Sequence, residues 1–505
     1  MKMLAKLEKN KSFWYLLATS LAFFLLRLPS LIEPNWYGDE GIYQVMGQAL
    51  DKGRLLYSQI WDNKPPLLYL TYALFHGDQF QVRLFALIIG LLTLWVFFYL
   101  SQLLFRQLKA SIISTICFAL LFATPFLEGN IANAENFMLL PIITAGLLIY
   151  AHSENIKYKI LNTNYLILLS AGLLLGISFL FKIVAVFDLA AFCVYLFIVS
   201  FTELRWKGNN IIKWISAAIA WIRNDALLVL IGFMFPIGLT FLYFISKNTL
   251  HDFTQAVFSS NVGYVGYGNM LIIPQGFLIL KLILLALASF LIFWKRKQLS
   301  KSTIFIIIWL SFSLFNTFFS GRPYTHYLLV SIPSFCLLIG LFFTEIKTKI
   351  KITYLLLLIG TALLLIATFK PNIKKPFQYY DNSISFLAGQ KSVNSYQSFF
   401  DQKTPRDYEV ATFIKTHTNP QDYVFIWGDS AQIYALSDKL PPGKYTVAYH
   451  INQYKSGLQE TQAALNTVKP KYIVALSEAP AIPFYLPTYV SEFIFKGATV
   501  YERSF

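Results

Sequence analysis

Charged side chains are scarce in this chain. Asp, Glu, Lys and Arg make up only 13% of its 505 residues, against 56% hydrophobic, whereas a soluble domain carries about a quarter charged residues. That shortage excludes an ordinary soluble protein, and repeated apolar runs of helix-spanning length place the chain in a membrane. Acid is scarcer than base: 26 Asp and Glu stand against 42 Lys and Arg, a net charge of +16. The cations collect in short loops between the apolar runs, as topology signals do, so nucleic acid is not the partner they indicate. Cysteine is nearly absent. Cys117, Cys193 and Cys336 all fall inside apolar runs, and an odd set without CxxC spacing excludes a disulfide framework and a zinc site. There is no internal repeat, and no glycine-rich phosphate loop, the second of which argues against ATP as an energy source. Aromatic residues are plentiful at 17%, but interfacial belts absorb them without any cofactor.

What is present is a series of eleven apolar spans: 12–31, 83–104, 111–127, 137–151, 164–181, 183–201, 226–246, 275–294, 303–319, 326–344 and 352–369. The first is expected to stay uncleaved, because no small-residue cleavage site follows it. With Lys2, Lys6, Lys9 and Lys11 in the cytoplasm, every basic cluster between spans falls on that same side: Arg106/Lys109, Lys157/Lys159, Arg205/Lys207/Lys213/Arg223, Lys295/Arg296/Lys297/Lys301 and Lys347/Lys349/Lys351. The other side receives isolated cations, Lys64, Lys182, Lys247 and Arg322. The positive-inside rule therefore predicts a multi-pass protein of the plasma (inner) membrane, with the loop 32–82 and the polar tail outside. Three parts are expected: a transmembrane domain (1–369), a polar linker (370–405) and an extracytoplasmic α/β domain (406–505). In the last, "DYVFIWGDS" reads as strand and turn, "AQIYALSDK" as helix, "LQETQAALNTVKPKYIVALSE" as helix, turn and strand, and "FIFKGATVYERS" as a hairpin.

The first outer loop is about fifty residues long, far above the usual connection of roughly 4–6. Its stretch "GDEGIYQVMGQALDKGRLLYSQIWDNKPPLLYL" (38–70) opens on Asp39 and Glu40 and closes on Lys64 in front of Pro65 and Pro66. Ile42, Val45, Met46 and Ala49 have helical spacing, with Gly53 as the stop. The acids suit a helix N-terminus and also a general base. Adjacent acids there point in different directions, so one is expected to be catalytic and the other orienting. Pro65 stiffens Lys64 into an extended presentation, fit for a solvated interfacial lysine or for a ligand of lipid phosphate. Glu135, in "EGNIANAENFMLLP", starts a span and faces the same region. Lys182 interrupts a 36-residue apolar run (166–201) at an outer turn, where it snorkels or serves a site. Asp188 lies deeper and needs a partner. Arg27, at the end of the first span, is a snorkelling residue or a phosphate contact. "SGRPYTHYLLVSIP" (320–333) adds Arg322, Tyr324, His326 and Tyr327. Tyr43, Tyr324 and Tyr327 are candidates for the cavity wall. Cations at a membrane boundary facing a carboxylate suggest group transfer from a lipid phosphate to a hydroxyl.

On these residues the chain resembles the family-39 glycosyltransferases of the GT-C superfamily, which include protein O-mannosyltransferases and bacterial aminoarabinose transferases of lipid A. The resemblance runs along nearly the whole chain: the acid pair after the first span, "WDNKPPLLYL", "NAENFMLLP", "GISFLFK", "GRPYTHYLLVSIPS" and "FIWGDSAQIYALSDK". It implies a donor sugar carried on polyprenyl phosphate, Asp39 as base, Lys64 as phosphate ligand, and Lys182, Arg322 and His326 on the phosphate side. Glu40 and Glu135 are cavity acids on the same resemblance. No cofactor or metal is expected. The tail does not resemble the β-trefoil insert of the eukaryotic mannosyltransferases, so the acceptor is left as a lipid, a glycan or a protein. The competing class is a flippase for polyprenyl-linked sugars, which usually has internal repeats and polar residues through the depth of the bundle.

Overall fold

The computed structural model describes residues 11–155, 164–203, 219, 221–261, 277–320, 322–344, 348–454 and 456–504. The expected cytoplasmic lysines and arginines at 2, 6, 9, 157, 159, 205, 207, 213 and 347 lie outside these residues. Among the described residues, eight helices are long and apolar enough to cross a membrane and three more are shorter and apolar. Together they match the eleven expected spans.

The chain opens with α1 (Lys11–Arg27) and then leaves the bundle for the long loop. The loop holds α2 (Gly38–Asp51) and α3 (Pro66–Leu74). The bundle resumes with α4 (Gln79–Phe105), capped by the Asp78 carboxylate on the amide of Gln81 at 2.8 Å. There follow α5 (Leu108–Ala123), α6 (Ala134–Ser153), α7 (Asn164–Phe181) and α8 (Val186–Glu203). After these come α9 (Leu227–Ser246), α10 (Leu278–Lys295) and α11 (Lys301–Thr317). A 3₁₀ turn, Thr325–Ser331, leads into α12 (Ile332–Phe342), and α13 (Thr348–Phe369) ends the bundle.

Small residues let these helices approach. A Cβ placed on Gly172 or Gly176 of α7 would collide with the Val229 or Phe233 carbonyl of α9, and one on Gly232 would collide with the Leu169 carbonyl of α7. This is the close backbone contact by which apolar helices pack where no hydrophobic effect separates helix from lipid. By contrast, α10 and α13 turn large side chains such as Leu280, Ile283, Phe290, Leu356 and Leu363 outward.

The long loop is a packed element. In α2, every residue from Glu40 to Ala49 is buried, because the helix is covered on both sides. Gly47 meets the backbone of Tyr72 in α3, and Gly41 meets Gln432 of the C-terminal region.

Residues 370–405, expected as a linker, carry α14 (Lys375–Leu387) and α15 (Val393–Phe400). Beyond them lie α16 (Thr404–His417), β1 (Val424–Trp427), α17 (Gln432–Ser437), α18 (Ala448–Gln453), α19 (Gly457–Val468), β2 (Tyr472–Leu476), β3 (Tyr489–Phe495) and β4 (Ala498–Arg503). The strands form one sheet in the order β1-β2-β4-β3. β1 and β2 pair in parallel through the helical crossover, and β2–β4 and β3–β4 pair antiparallel. Gly497, at φ +90°, makes the hairpin turn that "FIFKGATVYERS" predicts.

This C-terminal domain grips the loop. The Gln432 side chain donates to the Trp36 carbonyl at 3.0 Å and Gln48 donates to the Ala435 carbonyl at 3.1 Å. Arg54 donates to the carbonyls of Pro441 (2.8 Å) and Gly443 (3.1 Å), and the Trp61 amide donates to the Lys444 carbonyl at 2.9 Å.

Candidate active site

A cavity lies where the loop meets the helix ends, with about 890 Å³ of space that opens in part to solvent. Its first wall is the N-terminus of α2. Asp39 sits in the first turn of that helix. One turn on, the Tyr43 hydroxyl donates to Asp39 Oδ2 at 3.3 Å.

The second wall is the strap Trp61–Pro65. Its backbone is held on both sides of Lys64. The Lys64 amide donates to the Tyr69 hydroxyl at 2.9 Å, the Tyr69 hydroxyl donates to Asp62 Oδ2 at 2.6 Å, and the Tyr57 hydroxyl donates to the Lys64 carbonyl at 2.8 Å. Burial alone would raise the Asp62 carboxyl; the Lys64 charge and the Tyr69 hydrogen bond reverse this and leave its pKa lowered. Lys64 Nζ reaches Asn63 Oδ1 at 2.8 Å and lies 5.8 Å from the centre of the Tyr43 ring. Asn261 supports the strap by donating to the Asn63 carbonyl at 2.8 Å.

The third wall joins the N-terminus of α6 to the break between α7 and α8. Lys182 is extended there, at φ −156° and ψ 125°. Its ammonium pairs with Glu135 and lies 4.6 Å from the centre of the Tyr327 ring. The fourth wall is the 3₁₀ turn with His326. Its Nδ1 lies 3.1 Å from Glu128 Oε2, which also accepts from the Tyr37 hydroxyl at 3.0 Å, while Thr325 donates to the other Glu128 oxygen. Burial pushes the Glu128 carboxyl up, but the His326 hydrogen bond and charge and the Thr325 hydrogen bond outweigh it and bring its pKa down to about 2. A carboxylate with a lowered folded-state pKa stabilises the fold fully above its ordinary value of 4.5 and loses that share as pH falls toward about 2. The Tm difference between the wild type and Glu128→Gln is therefore expected to narrow as pH falls through that window. A difference that widens there, in thermal unfolding scans, would contradict this assignment.

No family model and no curated protein matches the sequence. Solved structures match the three-dimensional form. ArnT from Cupriavidus metallidurans, crystallised bound to undecaprenyl phosphate, aligns over 97% of this chain and 98% of its own with a TM-score of 0.58, at 12% identity. This chain has the ArnT fold. The Archaeoglobus fulgidus oligosaccharyltransferase in its apo form aligns over 93% of this chain and 70% of its own, at 12% identity and a TM-score of 0.49.

Within this fold the expected site residues divide cleanly. Asp39, Tyr43, Lys64, Glu135, Lys182, His326 and Tyr327 line the one cavity. Glu40 turns away from it into a buried bidentate pair with Arg83, at 2.9 and 2.5 Å. Arg27 is wholly buried and donates to Asn136 Oδ1 at 3.3 Å. Arg322 and Tyr324 sit exposed near the rim, 3.4 Å apart through Nη1 and the hydroxyl, and neither lines the cavity. Asp188 finds its partner in the Trp309 indole at 2.8 Å.

The cavity also gathers amides to which the sequence assigns no role. Asn63, Asn133, Asn261 and Asn316 all line the cavity. Asn63 stands next to Lys64 in "WDNKPP" and Asn133 lies two residues before Glu135, so both sat beside a flagged charge; Asn261 and Asn316 carry no local signal.

Proposed function

We propose that this chain is an inverting glycosyltransferase that moves a sugar from polyprenyl phosphate to an acceptor hydroxyl at the extracytoplasmic face of the plasma (inner) membrane. The observation that carries the reading is one cavity with Asp39 on a helix N-terminus and, around it, the ammonium groups of Lys64 and Lys182. The binding of undecaprenyl phosphate by ArnT, which has the same fold, lends it support.

The chemistry follows from the walls. Asp39 takes the acceptor proton as the acceptor oxygen bonds to the anomeric carbon. The bond from that carbon to the phosphate oxygen breaks on the opposite face, and polyprenyl phosphate leaves with the electron pair. The anomeric configuration inverts. The leaving group needs its charge neutralised more than it needs a proton, and Lys64 and Lys182 supply that, with His326 as a hydrogen-bonding group beside them. The chemistry assigns no step to a metal or cofactor. Lipid, glycan and protein hydroxyls are all acceptable nucleophiles. In this reading residues 1–369 are the catalytic domain and 406–505 an extracytoplasmic domain.

The test is release of polyprenyl phosphate from a panel of short-chain polyprenyl-phosphate sugars by the purified protein in detergent, with and without chelator. Turnover of at least one donor, unchanged by chelator, is expected. Lys64→Gln should lower kcat/KM for that donor by about 10²-fold, the scale of one lost charge-stabilising donor. No release from any donor, together with translocation of one across vesicles, would hand the protein to the flippase class.

A further inference from the structure

The segment 445–454 of the C-terminal domain reaches the strap that presents Lys64. Trp61 is nearly buried under three of its rings: Tyr445, His450 and Tyr454, with centroids 5.8, 4.9 and 4.6 Å away. The Trp61 amide is also tied to the Lys444 carbonyl. One residue further on, His450 Nε2 approaches Asp62 Oδ1 at 3.7 Å. The other Asp62 oxygen holds Tyr69, whose hydroxyl accepts from the Lys64 amide. His450 thus packs on Trp61 with its Nε2 turned toward Asp62, beyond hydrogen-bond distance, and hydrogen bonds run on from Asp62 through Tyr69 to Lys64.

His450 is only 3% exposed, and its Nδ1 has no hydrogen-bond partner. Burial lowers its pKa to about 4, so the ring is neutral near pH 7. The tautomer that suits the site carries its proton on Nε2, toward the carboxylate. The ring packs on Tyr449 of its own domain, but its Nδ1 finds no partner there and its Nε2 faces the carboxylate of the strap. Its place is explained by what it faces.

We infer that His450 is a positioning residue supplied by the C-terminal domain, holding the Trp61–Asp62 strap so that Lys64 meets the donor phosphate. The inference rests on the proposed function for the identity of the ligand, but not for the positioning itself. A domain that only covered the cavity would need no polar contact to the lysine strap. The geometry makes the C-terminal domain a part of the donor site.

Two measurements on the full-length protein test this separately. The first is backbone amide exchange in the wild type, His450→Ala and His450→Gln. Exchange at 61–64 should accelerate in His450→Ala, while the strands 424–427 and 472–476 keep wild-type protection. His450→Gln, whose amide still donates toward Asp62, should restore much of the protection at 61–64. The second is binding of short-chain polyprenyl phosphate, without any sugar, and the steady-state constants. His450→Ala should weaken binding and raise donor KM roughly ten-fold or more, since small displacements of a binding group are costly, with kcat within about two-fold. Unchanged exchange at 61–64 in His450→Ala would overturn the inference, as would loss of protection throughout the sheet in both variants. If the wild type binds no polyprenyl phosphate, the proposed function fails, and the exchange result still decides the positioning role.

Discussion

Replacing Asp39 by asparagine is expected to lower kcat/KM by about 10²–10⁴-fold, the contribution of a positioned general base. The substitution keeps size and hydrogen-bonding capacity, so the contact from Tyr43 at 3.3 Å retains an acceptor. It removes the only function the reading asks of this side chain, which is to accept the acceptor's proton. The cations stand apart from it on the other walls, so binding of polyprenyl phosphate should survive within about two-fold. The measurement is steady-state transfer together with direct donor binding. Wild-type turnover in the variant would remove Asp39 from the base role and pass it to Glu135, the other carboxylate of the cavity. Loss of binding in step with loss of turnover would instead mean that Asp39 shapes the donor site.

The second large effect is one of stability. Arg83 has no exposed side-chain surface and lies between two buried carboxylates. It pairs with Glu33 at 3.0 Å and with Glu40 at 2.9 and 2.5 Å, and it donates to the Ser30 carbonyl at 2.7 Å. Glu33 also gathers the Asn130 amide, the Trp36 indole and the Tyr379 hydroxyl. Removing one partner of a buried ion pair costs about 3–5 kcal/mol, because the remaining charge is left without water or counter-ion. Arg83→Met strands two such charges and should destabilise the protein by at least that amount, read as a lowered Tm in detergent. Adding Glu33→Gln and Glu40→Gln should recover much of the loss, since neutral partners carry no stranded charge. A single variant as stable as the wild type would show that the cluster is better hydrated than its burial implies.

This cluster also marks where the sequence stopped being legible. Asp39 and Glu40 read alike along the chain. What separates them is Arg83, 43 residues further on from Glu40, at the start of the 83–104 span. Long-range pairing of this kind leaves no local trace. Patterns carried by neighbours in sequence were legible: the spans through their apolar length, α2 through Ile42, Val45, Met46 and Ala49, and the terminal hairpin through its alternation. The cavity cations were legible because a lysine such as Lys64 or Lys182 is conspicuous in an apolar setting. Asn261 and Asn316 were not, because an amide is unremarkable at a helix end. Nor was His450, whose meaning depends on Asp62, far back in the chain.

The grip of the C-terminal domain on the long loop has a consequence for biosynthesis. Gln48 meets Ala435 and Lys52 meets Asp438 across separations of 387 and 386 residues. A chain made at about 5–20 residues per second presents its loop tens of seconds before the domain that covers it exists. During that interval α2 has one face without a partner, and the lysine strap has no cover over Trp61. The covered strap is thus a late product of translation: a nascent chain truncated before residue 430 carries every residue that lines the cavity but lacks the rings that pack over Trp61.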